Sequence, residues 1–307
     1  MEEKTFHIPV LPKETLKFLD PKPGEIFVDA TLGGGGHAEK ILEKIGKNGK
    51  LIGIDCDPEA IAESQKNLSR FKDQVIFIND NFINLKNILG NLGVMGVDGI
   101  LFDLGVSSYQ LETPERGFSF GEKGMDAPLD MRMNPAQQFS AYDIVNFYPE
   151  KKLREIFFKL GEEPFGGKIA REIIKVRDRK KIETCGELLD LIRRATPPDY
   201  RFSRKGHWAS KIFRALRMEV NQELPALEEA LPQALGALKP GGRLVVISFH
   251  SLEDRIVKHQ FLEWQKSGLV EILTKKPVMA TPEEIAQNPR ADSAKLRAVK
   301  KNWSIRV

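Results

Sequence analysis

The chain has 307 residues and a formal net charge of +4, with 41% hydrophobic and 29% charged residues. This balance is typical of one or two globular domains, and no apolar run is long enough to predict a membrane span. The acidic start, MEEKTFHIPV, lacks the apolar segment of a secretory signal, and the two cysteines form no metal-spaced pair. We therefore expect a reduced, cytoplasmic protein.

Positive charge is concentrated in one part of the chain. Residues 167–217 contain fifteen Lys or Arg against six Asp or Glu, so the remainder carries a net charge of about −5. A basic segment on a slightly acidic body favours a polyanionic partner such as nucleic acid. Solvated helix faces would give the same count, and the charge alone leaves both interpretations open.

The first hundred residues alternate between strand and helix patterns. Short β-rich runs predict strands, and amphipathic or capped segments predict helices. In chain order the pattern predicts a strand over 25–30, a helix over 38–45 closed by Gly46, a strand over 50–55, a helix capped by Asp57, a strand over 74–80, a short helix near 85–89 and a strand over 97–105. Apolar strands joined by helices are typical of a parallel sheet covered on both faces.

The alternation stops in the middle of the chain. Residues 115–215 show helical periodicities separated by Gly and Pro, and the α/β pattern then resumes with a Pro-Gly-Gly turn, a strand over 244–248 and a helix from near Ser251. Two late β-rich runs, LVEILT and WSIRV, predict edge strands. We therefore predict a doubly wound domain formed by 1–114 and 216–307, with an all-helical insertion at 115–215.

The segment DATLGGGGHA follows the first predicted strand, which is where open parallel sheets bind ligands. Gly33, Gly35 and Ala38 satisfy the dinucleotide fingerprint G-x-G-x-x-G/A. Asp55 closes the second strand, where a carboxylate can accept hydrogen bonds from both hydroxyls of a ribose. The pattern predicts a site for an adenosine-containing cofactor, and a flexible strand–helix connection is the alternative.

Acidic residues discriminate between the possible cofactors. Asp29 precedes the glycine loop and Asp103 closes the fourth strand, so several carboxylates are expected in one pocket. They would repel a pyrophosphate, whereas the ammonium and sulfonium groups of S-adenosylmethionine suit them. Phe82, after the third strand, is placed either to pack on an adenine or to join the core. The pattern favours methyl transfer over a nicotinamide-dependent oxidoreductase.

The remaining strand ends offer little other chemistry. Ser251 and Asp254 resemble a capping box, and His250 is placed either to touch substrate or to act structurally. The sequence has no nucleophile elbow and no His/Cys cluster with metal-ligand spacing, so neither hydrolysis nor a metal is expected. Methylation of an exocyclic amine needs an acceptor for the amine proton, and Asp103 is the best-placed candidate.

The motifs together resemble the RsmH (MraW) methyltransferases of bacteria. The resemblance runs in order from about residue 7 to residue 297, through HIPVL, DATLGGGGHA, GIDCDPEAI, DGILFDLGVSSYQL, RGFSF, PLDMRM, ALKPGGRLVVISFHSLEDRIVK and SAKLR. It implies a class I S-adenosylmethionine-dependent methyltransferase fold, a Rossmann-like, mostly parallel seven-stranded sheet with an inserted helical domain. It also implies methylation of the exocyclic N-4 amine of a cytidine in the decoding (P-site) region of 16S rRNA, within the small ribosomal subunit.

The resemblance also implies site residues. Its cofactor contacts fall on Gly35, Gly36, His37, Asp55, Phe82, Asp103 and Gln110, of which His37 and Gln110 gain this role from the resemblance alone. RNA affinity depends on neutralising phosphates, and the candidate cations are Arg116, Arg132, Lys168, Arg171, Arg204, Lys205 and Arg214, with Lys175 and Lys211 beside them. Each of these is equally consistent with a surface ion pair. NPRADSAKLR replaces a more basic run of many family members, which weakens the expectation that this tail touches RNA.

A non-enzymatic ribosome assembly factor and a DNA or small-molecule amine methyltransferase are the remaining alternatives. The chain lacks the Asn/Asp-Pro-Pro-aromatic motif of DNA amine methyltransferases at the end of its fourth strand.

Overall fold

A computed structural model describes residues 9–119, 121, 124–202 and 207–303. The chain divides into two compact units, one made of Met1–Ser107 with Leu224–Val307 and the other of Ser108–Glu223. The second unit contains the whole of the predicted insertion and is longer than it at both ends.

The first unit is built on a seven-stranded sheet in the order β3-β2-β1-β4-β5-β7-β6. The first five strands pair in parallel, and β7 is antiparallel to both of its neighbours. The predicted mostly parallel, doubly wound sheet is therefore confirmed. The strands are β1 (Ile26–Asp29), β2 (Lys50–Asp55), β3 (Val75–Asn79), β4 (Val97–Asp103), β5 (Leu238–Ser248), β6 (Val270–Ile272) and β7 (Lys295–Lys301).

Helices cover both faces of this sheet. In chain order the helices of the first unit are α1 (Pro12–Leu19), α2 (Gly36–Ile45), α3 (Pro58–Asn67) and α4 (Leu85–Asn91), then α12 (Glu223–Ala237, beginning at the unit boundary), α13 (Ser251–Lys266) and α14 (Pro282–Gln287). Successive strand residues point to opposite faces. Val28 accordingly packs in a cluster with α4, α12 and α13, whereas its neighbour Phe27 packs with α1 and α2. Two apolar faces explain why the strands read as nearly continuous hydrophobic runs.

The helical unit contains α5 (Ser108–Glu112), α6 (Ala141–Phe147), α7 (Glu150–Lys159), α8 (Gly166–Arg177), α9 (Cys185–Ala195), α10 (Pro198–Phe202) and α11 (Ser210–Asn221). Its apolar stripes are buried as their spacing predicts, with Leu153, Ile156 and Phe157 on α7 and Leu188 and Ile192 on α9 among the least exposed residues. The part of this unit that the structure describes has no strand, only an isolated bridge between Pro128 and Thr184.

Two local predictions are wrong, and a third falls mostly outside the described residues. The last strand that the structure describes is Lys295–Lys301, and of the predicted WSIRV strand Trp303 lies outside any strand while 304–307 lie outside the described residues. The Pro-Gly-Gly segment lies within β5 as an irregularity in its pairing with β4, and Gly241 has a φ of 83° there. The N-cap of α13 is His250 and not Ser251, because the His250 ring accepts the Glu253 backbone N–H.

Other local predictions are confirmed. The Asp57 side chain caps α3 by accepting the Glu59 backbone N–H at 3.0 Å, and Pro58 occupies the first position of that helix. Gly46 ends α2, and β6 lies within the LVEILT run. Among the residues that the structure describes, no helix combines the length and apolarity needed to span a membrane.

Candidate active site

The strand order reverses between β1 and β4, and the chain places its glycine loop and two acids at this point. Asp29 is the last residue of β1 and Asp103 the last of β4, and these strands are hydrogen-bonded neighbours. Asp55 ends β2 on the other side of β1. Parallel strands end at the same edge of a sheet, so the three carboxylates meet where open α/β sheets bind ligands.

The glycine loop holds a backbone shape that ordinary residues rarely adopt. Gly33 has a φ of 51° and Gly35 a φ of 84°, both in the left-handed region. A Cβ on Gly35 would also come within 3.1 Å of the Leu68 side chain. Gly35 is the N-cap of α2 and Gly36 its first residue, so the glycine loop leads directly into the N-terminus of α2.

Asp55 anchors this loop. One of its oxygens accepts the Gly33 backbone N–H at 2.8 Å, and the other accepts the Asp57 N–H at 2.9 Å. A carboxylate has about four lone-pair positions, so each oxygen retains capacity for a further donor such as a ribose hydroxyl. Burial raises the pKa of Asp55 to about 6, against these hydrogen bonds, which lower it.

Asp103 and His37 form the polar centre of the site. His37 lies in the first turn of α2, with its Nε2 3.5 Å from Asp103 Oδ2. Both side chains are largely buried, and neither His37 Nε2 nor Asp103 Oδ1 has a hydrogen-bond partner within the described residues. Buried polar atoms without protein partners are costly, and proteins satisfy them with a ligand, an ion or ordered water.

Thr31 positions Asp103. Its Oγ1 accepts the Asp103 backbone N–H at 2.6 Å, while its own backbone N–H is donated to Asp29 Oδ1 at 3.2 Å. One residue of the loop thereby fixes the ends of two strands. The sequence analysis missed Thr31, as well as Asn67, whose side chain donates to the Gly34 carbonyl at 2.9 Å. Neither residue carries a recognisable signal, because each acts through a backbone group that lies distant in sequence.

The site carries an excess of negative charge. Asp29 is 1% exposed, and burial raises its pKa to about 7, a shift that nearby His37 opposes and that Asp103 and Asp55 reinforce. Burial is the main cause of this shift, because it disfavours the charged carboxylate. A cationic ligand placed there would favour the ionised form of Asp29.

Phe82 and His250 are both tied into the first unit. Phe82 follows β3 in a single 3₁₀ turn, and its ring meets Phe102 edge-on with centroids 5.5 Å apart. His250 caps α13, with Nδ1 3.4 Å from the Glu253 nitrogen and Nε2 3.1 Å from Glu253 Oε1. These contacts support a structural role for both residues. The role of Phe82 toward the cofactor and that of His250 toward the substrate stay predictions. Gln110 lies on α5, in the helical unit.

The predicted RNA-binding cations divide into two groups. Arg116 is buried and donates to the carbonyls of Arg132 and Met133, and Arg132 forms a two-pronged pair with Asp130 and donates to two further carbonyls. Arg214 donates to the Gly161 carbonyl. Lys168 and Arg171 are instead exposed on α8. Arg204 and Lys205 lie outside the described residues.

The donor set of the first unit fits S-adenosylmethionine. Gly33, Gly35 and Gly36 would let a ligand approach the backbone, Asp55 would offer acceptors to a ribose, and the carboxyl groups of Asp29 and Asp103 would face its cationic groups. The order and direction of the strands and the placement of this site define a class I methyltransferase fold.

The comparison with known proteins gives the family. The model of the MraW methylase family matches residues 4–302, and the chain belongs to that family. A methylase of this fold class takes its methyl group from S-adenosylmethionine, which confirms the predicted family and cofactor.

The chain is similar along its whole length to curated relatives. It is 47% identical to the Ribosomal RNA small subunit methyltransferase H of Heliobacterium modesticaldum, over 96% of this chain and 98% of that protein. It is 46% identical to the protein of the same name from Carboxydothermus hydrogenoformans, over 96% and 97%. Among solved structures, it resembles an rRNA methylase from Streptococcus thermophilus with a TM-score of 0.45 and 12% identity, over 99% of each chain.

Proposed function

We propose that this protein methylates the exocyclic N-4 amine of a cytidine in the decoding (P-site) region of 16S rRNA. The observation that carries the proposal is the buried acidic centre at the β1–β4 switch point, where Asp103 Oδ1 and His37 Nε2 have no hydrogen-bond partner in the described part of the chain. The names of the curated relatives support small-subunit ribosomal RNA as the substrate.

The acids suit the proposed cofactor better than the alternatives. S-adenosylmethionine supplies an electrophilic methyl group on a sulfonium centre, together with an ammonium group. Asp29, Asp55 and Asp103 lie at the three neighbouring strand ends, where they stabilise positive charge and oppose a pyrophosphate. Gly33, Gly35, Gly36, His37, Phe82 and Gln110 complete the proposed contacts with the cofactor.

Asp103 is the proposed proton acceptor. An exocyclic amine becomes positively charged as it gains a methyl group, and a neighbouring carboxylate stabilises that charge and then takes the proton. Asp103 has a buried oxygen with no partner among the described residues, and its backbone is held by Thr31 Oγ1 at 2.6 Å. His250 remains a proposed substrate-contacting residue, although it caps α13.

The proposed RNA contact uses the basic helical unit. Lys168 and Arg171 are exposed and close in sequence on one helix, which suits contacts with successive phosphates. A cytidine must also be unpaired or flipped out of its stack before an enzyme can reach its amine. Ribosomal RNA loops provide such bases, and a ribosomal substrate places the enzyme in the cytoplasm.

Two titrations and a transfer assay test the proposal. We expect S-adenosylmethionine to bind in calorimetry and NADH not to bind, because the acidic centre opposes the dinucleotide. We expect labelled methyl groups to pass from S-adenosylmethionine to small ribosomal subunits that lack the modification. Tight NADH binding would contradict the methyltransferase assignment, and cofactor binding without transfer to any ribosomal particle would favour an assembly factor.

A further inference from the structure

An exposed aromatic residue stands beside a cationic segment on the helical unit, outside every contact discussed above. Phe147 ends α6 and is 59% exposed, although a phenylalanine at a helix end is more commonly covered. Lys181 Nζ lies 4.8 Å from the centre of its ring, and Tyr142 meets it edge-on with centroids 6.0 Å apart. We call Phe147, Tyr142, Lys181 and the neighbouring Arg177 and Arg179 the Phe147 surface.

Hydrogen bonds hold the two parts of this surface together. Asn146, which is 3% exposed, donates to the Ile182 carbonyl at 2.8 Å and accepts the Ile182 N–H at 3.0 Å. Arg177 donates to the Val145 carbonyl at 2.9 Å. The two residues before Phe147 are therefore joined to the end of α8 and to the segment after it. A platform fixed in this way loses little conformational entropy when a ligand binds.

The cationic segment, residues 175–181, carries more positive charge than its ion pairs neutralise. Residues 175–181 contain five Lys or Arg and one Asp, a net charge of +4. Lys175 pairs with Glu172 and Lys180 with Glu187. Arg179 and Lys181 are exposed, and within the described ranges neither has a carboxylate oxygen within 4 Å. Cations without a carboxylate partner beside an open aromatic ring match the two requirements for binding single-stranded nucleic acid, phosphate neutralisation and base stacking.

We propose that the Phe147 surface binds single-stranded RNA, with one base stacked on Phe147 and adjacent phosphates on Lys181 and Arg179. The proposal rests on the proposed function, since rRNA supplies the strand. A protein partner is less well matched, because only one of the two aromatic rings of the surface is exposed, among cations, and the surface lacks an apolar centre large enough for a stable protein interface. The surface is separate from Lys168 and Arg171, which lie on the first half of α8.

Methyl-transfer kinetics with small ribosomal subunits test the stacking contact. We expect Phe147→Ala to raise the KM for subunits by about tenfold, because it removes one base-stacking contact. Phe147→Trp is expected to stay within about twofold of wild type, since it keeps a stacking face. Leu262→Ala, which removes an exposed apolar side chain from α13, is the matched control and is expected to leave KM unchanged.

The charge contact has its own measurement. Lys181→Ala is expected to weaken subunit binding and to reduce the slope of log K against log salt by about 0.7, the value for one phosphate on a single strand. Lys266→Ala, an exposed cation at the end of α13, is the control and is expected to leave the slope unchanged. Cofactor affinity and melting temperature are expected to stay at wild-type values in all these variants.

A photocrosslink distinguishes RNA from protein. A benzophenone side chain at position 147, irradiated with small subunits, is expected to give an adduct that ribonuclease removes. An adduct with a ribosomal protein, or a wild-type KM and salt slope in Phe147→Ala and Lys181→Ala, would overturn the proposal. Wild-type enzyme is assayed on the same subunits as a control. If wild type transfers no methyl group, the proposed function itself is contradicted; if only the variants behave as wild type, the role of the Phe147 surface is contradicted.

Discussion

The fold strongly changes the protonation of Asp29. Its pKa of about 7 lies above the ordinary value of 3.8 because the carboxyl is buried. The folded state therefore binds a proton that the unfolded state releases, and stability falls as pH rises from about 4 to about 7. This loss of stability is at most on the order of 4 kcal/mol. A cationic cofactor bound next to Asp29 would offset it.

We expect Asp29→Asn to remove this pH dependence. The free energy of unfolding of the variant, minus that of wild type, should increase by at most about 1.4 kcal/mol per pH unit between pH 5.5 and 7. Above that range the difference should level off. Urea unfolding of both proteins at several pH values measures the difference. A constant difference across that range would contradict the buried, protonated state of Asp29.

Asp55 is expected to contribute to cofactor binding through its remaining lone pairs. We predict that Asp55→Ala raises the Kd for S-adenosylmethionine by about ten- to a hundredfold, since hydrogen bonds to charged groups contribute about 1.5–3 kcal/mol each. Asp73→Ala, which removes an exposed acid just before β3, is the control. Calorimetry at one pH is sufficient, and an unchanged Kd in Asp55→Ala would refute the ribose assignment.

Asp103 is expected to act on the reacting amine. We predict that Asp103→Asn lowers kcat by a hundredfold or more, the usual range for a lost general base, and leaves the melting temperature near that of wild type. Single-turnover transfer at saturating cofactor isolates this effect from binding. An unaltered rate would remove Asp103 from catalysis, and a change confined to cofactor Kd would make it a binding residue only.

Among the secondary-structure elements, the parallel strands are the most predictable from the sequence and β7 is the least predictable. The runs over 25–30, 50–55, 74–80 and 97–105 are apolar because helices cover both of their faces, and this pattern is readable without coordinates. The β7 segment, KLRAVKK, reads as a charged tail. It lies between β5 and β6, where its charged Arg297 pairs with Asp254 of α13, a partner that sequence spacing does not reveal.

The Arg297–Asp254 pair is expected to stabilise this edge of the sheet. Arg297 is 8% exposed and donates to both Asp254 oxygens, at 2.6 and 3.2 Å. Removing one partner of a buried pair leaves an uncompensated charge, so we predict that Arg297→Ala destabilises the fold by about 3 kcal/mol. Denaturant unfolding measures this loss, and Lys239→Ala, which removes a more exposed pair with Asp98, should cost less than about 1 kcal/mol. Equal losses in the two variants would contradict the structural role of Arg297.

The candidate site was predictable where chemistry follows strand ends and was not predictable where it depends on packing. Asp55 and Asp103 could be placed by position, because each closes an apolar run. The supporting role of Thr31 depends on the path of the backbone between distant strands. The α13 cap at His250 is instead a local contact, which was missed because Ser251 is the more common type of N-cap residue. Arg116 and Arg132 show the opposite failure, since a count of positive charge cannot separate cations that bind carbonyls from cations that face solvent.

Across the whole molecule, basic residues held by carbonyl contacts and basic residues exposed to solvent should respond differently to substitution. Lys168→Ala and Arg171→Ala are expected to weaken binding to small subunits and reduce its salt dependence without loss of stability, because both side chains are exposed. Arg132→Ala is expected to lower the melting temperature, because it removes the paired contact with Asp130 and two carbonyl contacts. Filter binding over a salt series and thermal unfolding separate the two effects. A stable Arg132→Ala variant with reduced RNA affinity would support the predicted RNA-binding role of Arg132.

Most of the proposed cofactor contacts lie in the first unit, and the proposed RNA-binding cations lie in the second. The first unit holds the acidic centre, and the second holds the whole basic segment 167–217. Apart from Gln110 in the second unit and His250 in the first, variants in the first unit are therefore expected to change cofactor affinity and variants in the second to change RNA affinity. The two properties meet only in transfer of the methyl group.

The most direct test is identification of the methylated nucleoside. Small ribosomal subunits lacking the modification and free 16S rRNA are each incubated with enzyme and labelled S-adenosylmethionine, digested, and analysed by mass spectrometry. We predict N-4-methylcytidine from the decoding region. Label on another atom, another base or neither substrate, with cofactor binding intact, would contradict the proposed reaction.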